Sequence, residues 1–337
     1  DFTIGHSDLA IKVRGQYQDI GRTHPLSFTL RCRKENDGTF GSSLEDMHDR
    51  SDVSIRVYYT ANRTVRDTPL DAPGQYDFTA DKAYEGALDN AKTDFRSFFQ
   101  WFRYREDYEN ETRIDNDKHR DVQLEAVRQA LTKLIPGYDD LRVRRNPLGM
   151  VVTKGGTRLL INQLSDGEKC LIAMVGDIAR RYAIANPNLT NPLEGYGVAM
   201  IDEIELHLHP GWQRAIIPRL ESAFPNCQFI VTTHSPQVIS EVKKEGVYLL
   251  KKDGTVERPS SSYGRDSNSI LEELMGVSER PEKFVNLIKQ IYREIDSGEI
   301  DKAKAFTQEL LNEVGEDEPE LVRLNMLLKR KEALLQK

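Results

Sequence analysis

Hydrophobic and polar positions change period along this chain, and each change marks a change of element. Residues 1–70 read as strands and loops, with Ser54-Ile55-Arg56-Val57-Tyr58-Tyr59 the clearest strand because it is rich in β-branched and aromatic residues. From about 80 to 135 the period becomes helical. Phe95, Phe98, Phe99 and Phe102 recur at i, i+3, i+4 and i+7, and Leu124, Val127, Leu131 and Leu134 at similar spacing. The aromatic stripe is expected to pack into a core rather than to stack on bases. The charged stretch from Arg103 to Asp121 reads as an exposed arm or loop. Pro136-Gly137-Tyr138 breaks the helical pattern, and residues 136–260 return to mixed α/β. There the pattern predicts two short strands around Lys154-Gly155-Gly156-Thr157, a helix from Ser165, a strand at 197–202 and a helix near 211–222. A strand at 227–233 and a hairpin around Asp253-Gly254 complete it. From about 266 onward everything is helical. Phe284, Leu287, Ile288, Ile291 and Ile295 form one apolar face, Leu310, Leu311 and Val314 a second, and Leu321, Leu324, Leu327 and Leu328 a third, punctuated by Gly298 and Pro319.

This organisation predicts an α/β fold with a helical insertion and an all-helical extension. The expected divisions are an N-terminal part of the α/β lobe at 1–80, the insertion at 81–135, the rest of the lobe at 136–260, and a helical docking or oligomerisation region at 261–337. Composition narrows the classes further. A net charge of −7 argues against wholesale electrostatic binding of nucleic acid. The local basic runs, Arg142, Arg144 and Arg145 and then Arg180 with Arg181, read as solvated faces. Cys32, Cys170 and Cys227 are isolated, with no pair at metal-ligand spacing, and fit a reducing cytoplasm. No apolar run approaches the length of a membrane span, so a soluble cytoplasmic protein is expected.

The candidate chemistry lies in three segments. Val198-Ala199-Met200-Ile201 is an apolar run ending in Asp202-Glu203, the pattern of a buried strand that carries two acids to its tip. Such a pair calls for compensation, usually by a metal and a nucleophilic water. Upstream, Ser165-Asp166-Gly167-Glu168 has the form of a capping box, and the free N–H groups of a capped helix N-terminus also favour phosphate oxygens. Downstream, Phe229-Ile230-Val231-Thr232-Thr233-His234-Ser235 is a second buried strand ending in a histidine. One helix separates it from Asp202, so adjacent parallel strands would set the two ends side by side. Glu205-Leu206-His207-Leu208-His209-Pro210 has histidines two residues apart, the wrong spacing for one helical face.

In this order the segments resemble the head of an ABC-type ATPase of the SMC, OLD and RecF kind, a P-loop NTPase fold. Leu164 to Glu168 matches the signature Leu-Ser-Gly-Gly-Glu with Asp166 in place of the first glycine, and Asp202-Glu203 resembles the Walker B pair. The stretch from Glu205 to Pro210 resembles a D-loop of members acting in DNA metabolism and phage defence. The resemblance implies ATP and Mg²⁺ as cofactors. Asp202 would hold Mg²⁺, Glu203 would position or deprotonate the attacking water, and His234 would sense the γ-phosphate. Ser165, Asp166, Gly167 and Glu168 would face ATP bound to a second subunit.

The match narrows on Tyr58-Tyr59 with Asn62-Arg63, on Asp94 to Phe99 with Trp101-Phe102-Arg103, and on Tyr263 to Asn268 leading through Met275-Gly276-Val277 to Ser278-Glu279-Arg280-Pro281. These look like the PtuA ATPases of Septu and of some retron anti-phage systems. That implies a homodimer or higher oligomer that carries and regulates a small HNH nuclease of the PtuB kind. In a retron setting a reverse transcriptase and its RNA–DNA product would join it, so nucleic acid is met through the complex and no membrane is involved. The chain has no His-Asn-His nuclease constellation of its own. It also contains no Gly-x-x-x-x-Gly-Lys-Ser/Thr. Because it opens on Asp1-Phe2-Thr3-Ile4-Gly5 in mid-strand, the phosphate loop is expected upstream of Asp1 or in a gap after the first strand. Asn62 and Arg63 occupy a plausible position for the glutamine loop. The competing readings are a DNA-repair ATPase of the RecF or coiled-coil-bearing type and a catalytically inactive scaffold.

Overall fold

The computed structural model describes residues 8–19, 22–34, 40–45, 55–61, 79–88, 95–251 and 253–335. They divide into two compact units, Asp1–Arg265 and Asp266–Lys337.

Among the described residues the first unit holds three sheets and a ribbon. β1 (Asp8–Asp19), β2 (Arg22–Lys34) and β3 (Phe40–Glu45) form an antiparallel sheet in that order. The central sheet is parallel, in the order β4 (Ile55–Tyr59), β8 (Gly197–Ile201), β9 (Cys227–Val231). Between β4 and β8 the chain forms α1 (Phe95–Asp115) and α2 (Val122–Leu134). The antiparallel sheet of β5 (Tyr138–Arg145), β6 (Leu148–Lys154) and β7 (Thr157–Leu160) follows, and then α3 (Asp166–Ala185). Gly155 and Gly156 make the β6–β7 turn, both at positive φ (54° and 82°), where a side chain would be strained. α4 (Pro210–Ala223) connects β8 to β9, α5 (Pro236–Ile239) follows β9, and β10 (Leu249–Leu250) pairs with β11 (Val256–Glu257).

Register matters most in the central sheet. Tyr59 pairs with Ile201 and Ile201 with Val231, so the three carboxyl ends finish level. Every residue of β8 is buried, as expected for a middle parallel strand covered on both faces. Ligands of parallel α/β sheets gather at this end.

α3 is the axis of the unit. The apolar periodicity of Leu171, Val175, Ile178 and Tyr182 predicts one buried face, but the helix is buried on nearly all sides from Cys170 to Ile184. α1 and α2 enclose it along with β4, and Gly176 is the device that lets α1 in: a Cβ there would stand 2.7 Å from the Phe98 ring. The aromatic stripe of α1 is core, with Phe98, Phe99, Trp101 and Phe102 fully buried.

Two expectations are corrected here. The charged stretch after Arg103 is no loose arm, because α1 runs on through Asp115 and buries Glu106 and Glu109. Their charges are met: Glu106 accepts from Val143 N–H at 3.1 Å and Arg145 at 3.1 Å, and Glu109 from Asp121 N–H at 2.9 Å and Arg128 at 3.1 Å. Likewise Arg180 and Arg181 are not a solvated face, since each is only 4% exposed. Both reach Asp177, Arg180 at 2.6 Å and Arg181 at 2.8 Å, and the Tyr59 hydroxyl donates to the same carboxylate at 2.8 Å. Arg181 also donates to the carbonyls of Ala83 and Glu85. Arg142 and Arg145 do lie at the surface, paired with Asp140 and Asp107. Cys170 and Cys227 are in no disulfide, and Asn62 and Arg63 lie outside the described residues.

The second unit consists of α6 (Ser267–Glu273), α7 (Glu282–Ser297), α8 (Ile300–Val314) and α9 (Pro319–Leu335). Leu287, Ile291, Ile295, Ala303, Leu310, Leu321, Leu324 and Leu328 make its separate core. Gly298, at φ 83°, closes α7 with a left-handed cap. No helix among the described residues is long and apolar enough to cross a membrane.

Because Asp177 compensates two buried guanidinium groups, Asp177→Ala is expected to cost about 3–5 kcal/mol of stability by leaving them unpaired. Urea unfolding followed by tryptophan fluorescence checks this; a loss below about 1 kcal/mol would mean that the cluster is only decorative.

Candidate active site

The level strand ends place the acids. Asp202 directly follows β8, and its N–H donates to Tyr59 O at 2.8 Å, continuing the sheet by one rung. Thr232, the first residue past β9, ties the pair together. Its hydroxyl donates to Asp202 Oδ1 and accepts the Glu203 N–H at 2.8 Å, while its carbonyl takes the Ile204 N–H at 3.0 Å. Asp202 and Glu203 are both half-buried.

The chain then turns sharply. Glu203 (φ 47°) and His207 (φ 63°) occupy the left-handed region, unusual for residues with side chains. The Leu206 N–H bonds to Glu203 O and the Leu208 N–H to Glu205 O, both at 2.9 Å, so the turn is held by its own backbone. His209 then caps α4, its Nδ1 accepting the Gly211 N–H at 3.2 Å. His234 stands exposed two residues past Thr232, and its N–H donates to Glu205 Oε1 at 2.5 Å. Ser235 caps α5 and hydrogen-bonds Gln213 of α4 at 2.7 Å.

The start of α3 meets the same turn. Ser165 is its exposed N-cap and forms the expected box with Glu168: Ser165 N–H donates to Glu168 Oε2 at 2.8 Å, and Glu168 N–H to Ser165 Oγ at 3.4 Å. Glu168 is further engaged by the Tyr138 hydroxyl and by Lys154 Nζ at 2.5 Å. Burial pushes this carboxyl up, but the hydrogen bonds from Lys154, Tyr138 and Ser165 outweigh it and hold it down at about 2. In return the Glu168 hydrogen bond raises Lys154 to about 12. Asp166 is exposed and pairs with Lys169 at 2.8 Å, which lowers its pKa. Gly167 has no room for any side chain, because a Cβ there would lie 2.1 Å from the His207 carbonyl oxygen.

The predicted residues fall in two groups joined by one loop. Asp202, Glu203 and His234 stand at adjacent strand ends, and the segment 165–168 abuts the loop that follows the acids. The two acids and the exposed imidazole at the sheet end suit a hydrated divalent cation and phosphate oxygens, and the exposed serine at the start of α3 separately suits a phosphate oxygen.

Comparison with known proteins places the chain in a family. A family model described as an AAA domain, putative AbiEii toxin, Type IV TA system, matches residues 31–240. The chain belongs to this AAA-domain family.

Among relatives of this AAA-domain chain, the retron Ec83 probable ATPase of Escherichia coli is 37% identical over 236 residues, covering 67% of the chain and 44% of that protein. The chain thus spans less than half the length of that relative. The Septu protein PtuA of Bacillus thuringiensis is 25% identical over 290 residues, covering 81% of the chain and 70% of that protein. Of solved structures, the SMC head domain from Thermotoga maritima is 14% identical, with a TM-score of 0.33 over 75% of this chain and 74% of that one.

Two further residues of the candidate site carry no role that the sequence alone displays. Thr232 was legible only as part of a motif, although its place directly after the strand paired with β8 is what bridges the acids. Glu205 reads from sequence only as the first residue of the D-loop-like stretch, yet it holds the backbone of His234.

The Glu168 network carries a pH signature. Its carboxyl sits below the ordinary value of 4.5, so it contributes stability that is fully present above that value and is lost as pH falls towards about 2. Glu168→Gln is expected to lower stability by about 1–2 kcal/mol at neutral pH. The gap to the native protein should narrow as pH drops below about 4.5, measured by urea unfolding across pH; a gap independent of pH would contradict this assignment.

Proposed function

We propose that this chain is the nucleotide-hydrolysing part of an ATPase in an anti-phage defence complex. In this reading ATP is sandwiched between two copies. Asp202, Glu203 and His234 of one copy face Ser165, Asp166, Gly167 and Glu168 of the other. The observation that carries the reading is the level finish of β8 and β9, which sets a carboxylate pair beside an exposed histidine with Thr232 as the bridge. The capped, exposed start of α3 supports the role of Ser165 as a phosphate donor to a second subunit.

Each residue then has a definite task. Asp202 would hold Mg²⁺, which when bound neutralises phosphate charge. Its Oδ1 is oriented by the Thr232 hydroxyl. Glu203 accepts the proton of the attacking water, and its position is fixed by the bond from its own N–H to Thr232. His234 donates to the γ-phosphate as negative charge shifts there. Gly167 allows α3 to start flush against the loop after the acids.

The relatives named as a retron probable ATPase and as Septu PtuA support placement in phage defence. On that reading the oligomer carries and controls a separate HNH nuclease. In a retron setting it also carries a reverse transcriptase with its RNA–DNA product. The helical unit from Asp266 onward, with its own core, is the candidate docking or oligomerisation element.

Glu203→Gln in the full-length protein is expected to retain ATP binding and to lower turnover by roughly 100-fold or more, because the isosteric amide cannot take the proton. Single-turnover hydrolysis alongside equilibrium binding of ATP checks both arms. Unchanged turnover would remove Glu203 from this role.

A further inference from the structure

We propose that Glu205 is the positioning residue for His234, setting where its imidazole meets the transferred phosphate. The proposal rests on the reading of His234 as a phosphate contact. Past Val231 the strand ladder ends, and the His234 N–H has no sheet partner to bond. The Glu205 carboxylate supplies the acceptor at 2.5 Å, across the gap between two segments 29 residues apart. A hydrogen bond from a backbone amide to a carboxylate is charge-assisted and directional, so it fixes the Cα from which the imidazole springs.

The other oxygen sharpens the argument. Glu205 Oε2 is buried and meets no hydrogen-bond donor among the described residues. A side chain kept for stability alone is better served by full satisfaction or by an apolar replacement. Among the described residues, the return from a half-satisfied carboxylate is concentrated in its bond to His234.

Glu205 is also held firmly enough to act as a reference point. It sits between the left-handed residues Glu203 and His207. Its carbonyl accepts the Leu208 N–H at 2.9 Å, and the preceding Ile204 N–H is fixed to Thr232 O at 3.0 Å. Two residues on, the His207 carbonyl lies against Gly167. The carboxylate that places His234 therefore belongs to the same short turn that follows the acids and supports the start of α3. A shift of that turn would move His234 with it.

Amide hydrogen exchange at His234 and ATP turnover, both measured on the full-length protein, test the assignment. Glu205→Ala should speed exchange of the His234 amide by roughly tenfold or more, and lower kcat by roughly tenfold with KM for ATP little changed. Glu205→Gln, whose amide oxygen can still accept, should restore most of both. Glu205→Ala combined with His234→Ala should turn over no more slowly than His234→Ala alone, because both changes remove one function. Multiplying losses, or an unchanged His234 exchange rate in Glu205→Ala, would overturn the proposal. If the native protein hydrolyses no ATP, the nucleotide reading falls, while the exchange rate still decides whether Glu205 holds His234.

Discussion

A single buried carboxylate, Asp177, fixes the central helix of the first unit against its parallel sheet. Ionised and fully enclosed, it would be prohibitively costly without partners, and it has three: Arg180, Arg181 and the Tyr59 hydroxyl. The two arginines sit one turn along α3, whereas Tyr59 is the last residue of β4. Satisfying all three at once leaves little freedom in the rotation of α3 or its height above the sheet. Tyr59 passes the constraint on, because its carbonyl holds the N–H of Asp202. The helix whose other end begins at Ser165 and the strand end that carries the acids are thereby indexed to one group. The arrangement holds the carboxyl of Asp177 well below the ordinary range: burial pushes it up, and the charges of Arg181 and Arg180 more than reverse that.

Around the acids, accuracy comes from short-range hydrogen bonds and crowding. Thr232 contributes a hydroxyl and a carbonyl to consecutive residues of the neighbouring segment. Glu203 and His207 are held in a backbone conformation that residues with a Cβ avoid, a cost of about 1 kcal/mol each, and the surrounding bonds over-determine it. Gly167 closes the cluster from the other side, where any larger residue would strike the His207 carbonyl. A strained turn with a sterically required glycine of another element packed against it is what a site needs when groups must be placed to fractions of an ångström.

Much of this is legible in the sequence. The helical period of the phenylalanines and the leucines located α1 and α2, and the apolar run ending in two acids located β8. The Ser165–Glu168 spacing signalled a capped helix that is indeed capped. Where the reading failed, the cause was charge. Adjacent arginines and a run of acids look solvated when judged by composition, because burial of a charge is decided by partners distant in sequence. Asp177 three and four residues before Arg180 and Arg181 was a local hint, but the third partner, Tyr59, lies more than a hundred residues away. Glu106 and Glu109 are buried by Arg145, Arg128 and backbone amides from later elements. Thr232 and Glu205 stayed hidden for a related reason: their importance comes from strand register and loop closure, which no single segment displays.

The central claim is that each ATP site is completed by a second copy of the chain, so that Ser165 and Glu203 of one subunit serve different sites. Mixed dimers of the full-length protein separate this from any arrangement in which one subunit holds a whole site. Ser165→Arg and Glu203→Gln placed together on one subunit, with the other native, should abolish ATP turnover, because each composite site then contains one defect. The same changes divided between the two subunits should leave one intact site and about half the native turnover. The reverse pattern, half activity with both changes on one subunit and none when they are divided, would contradict the sandwich.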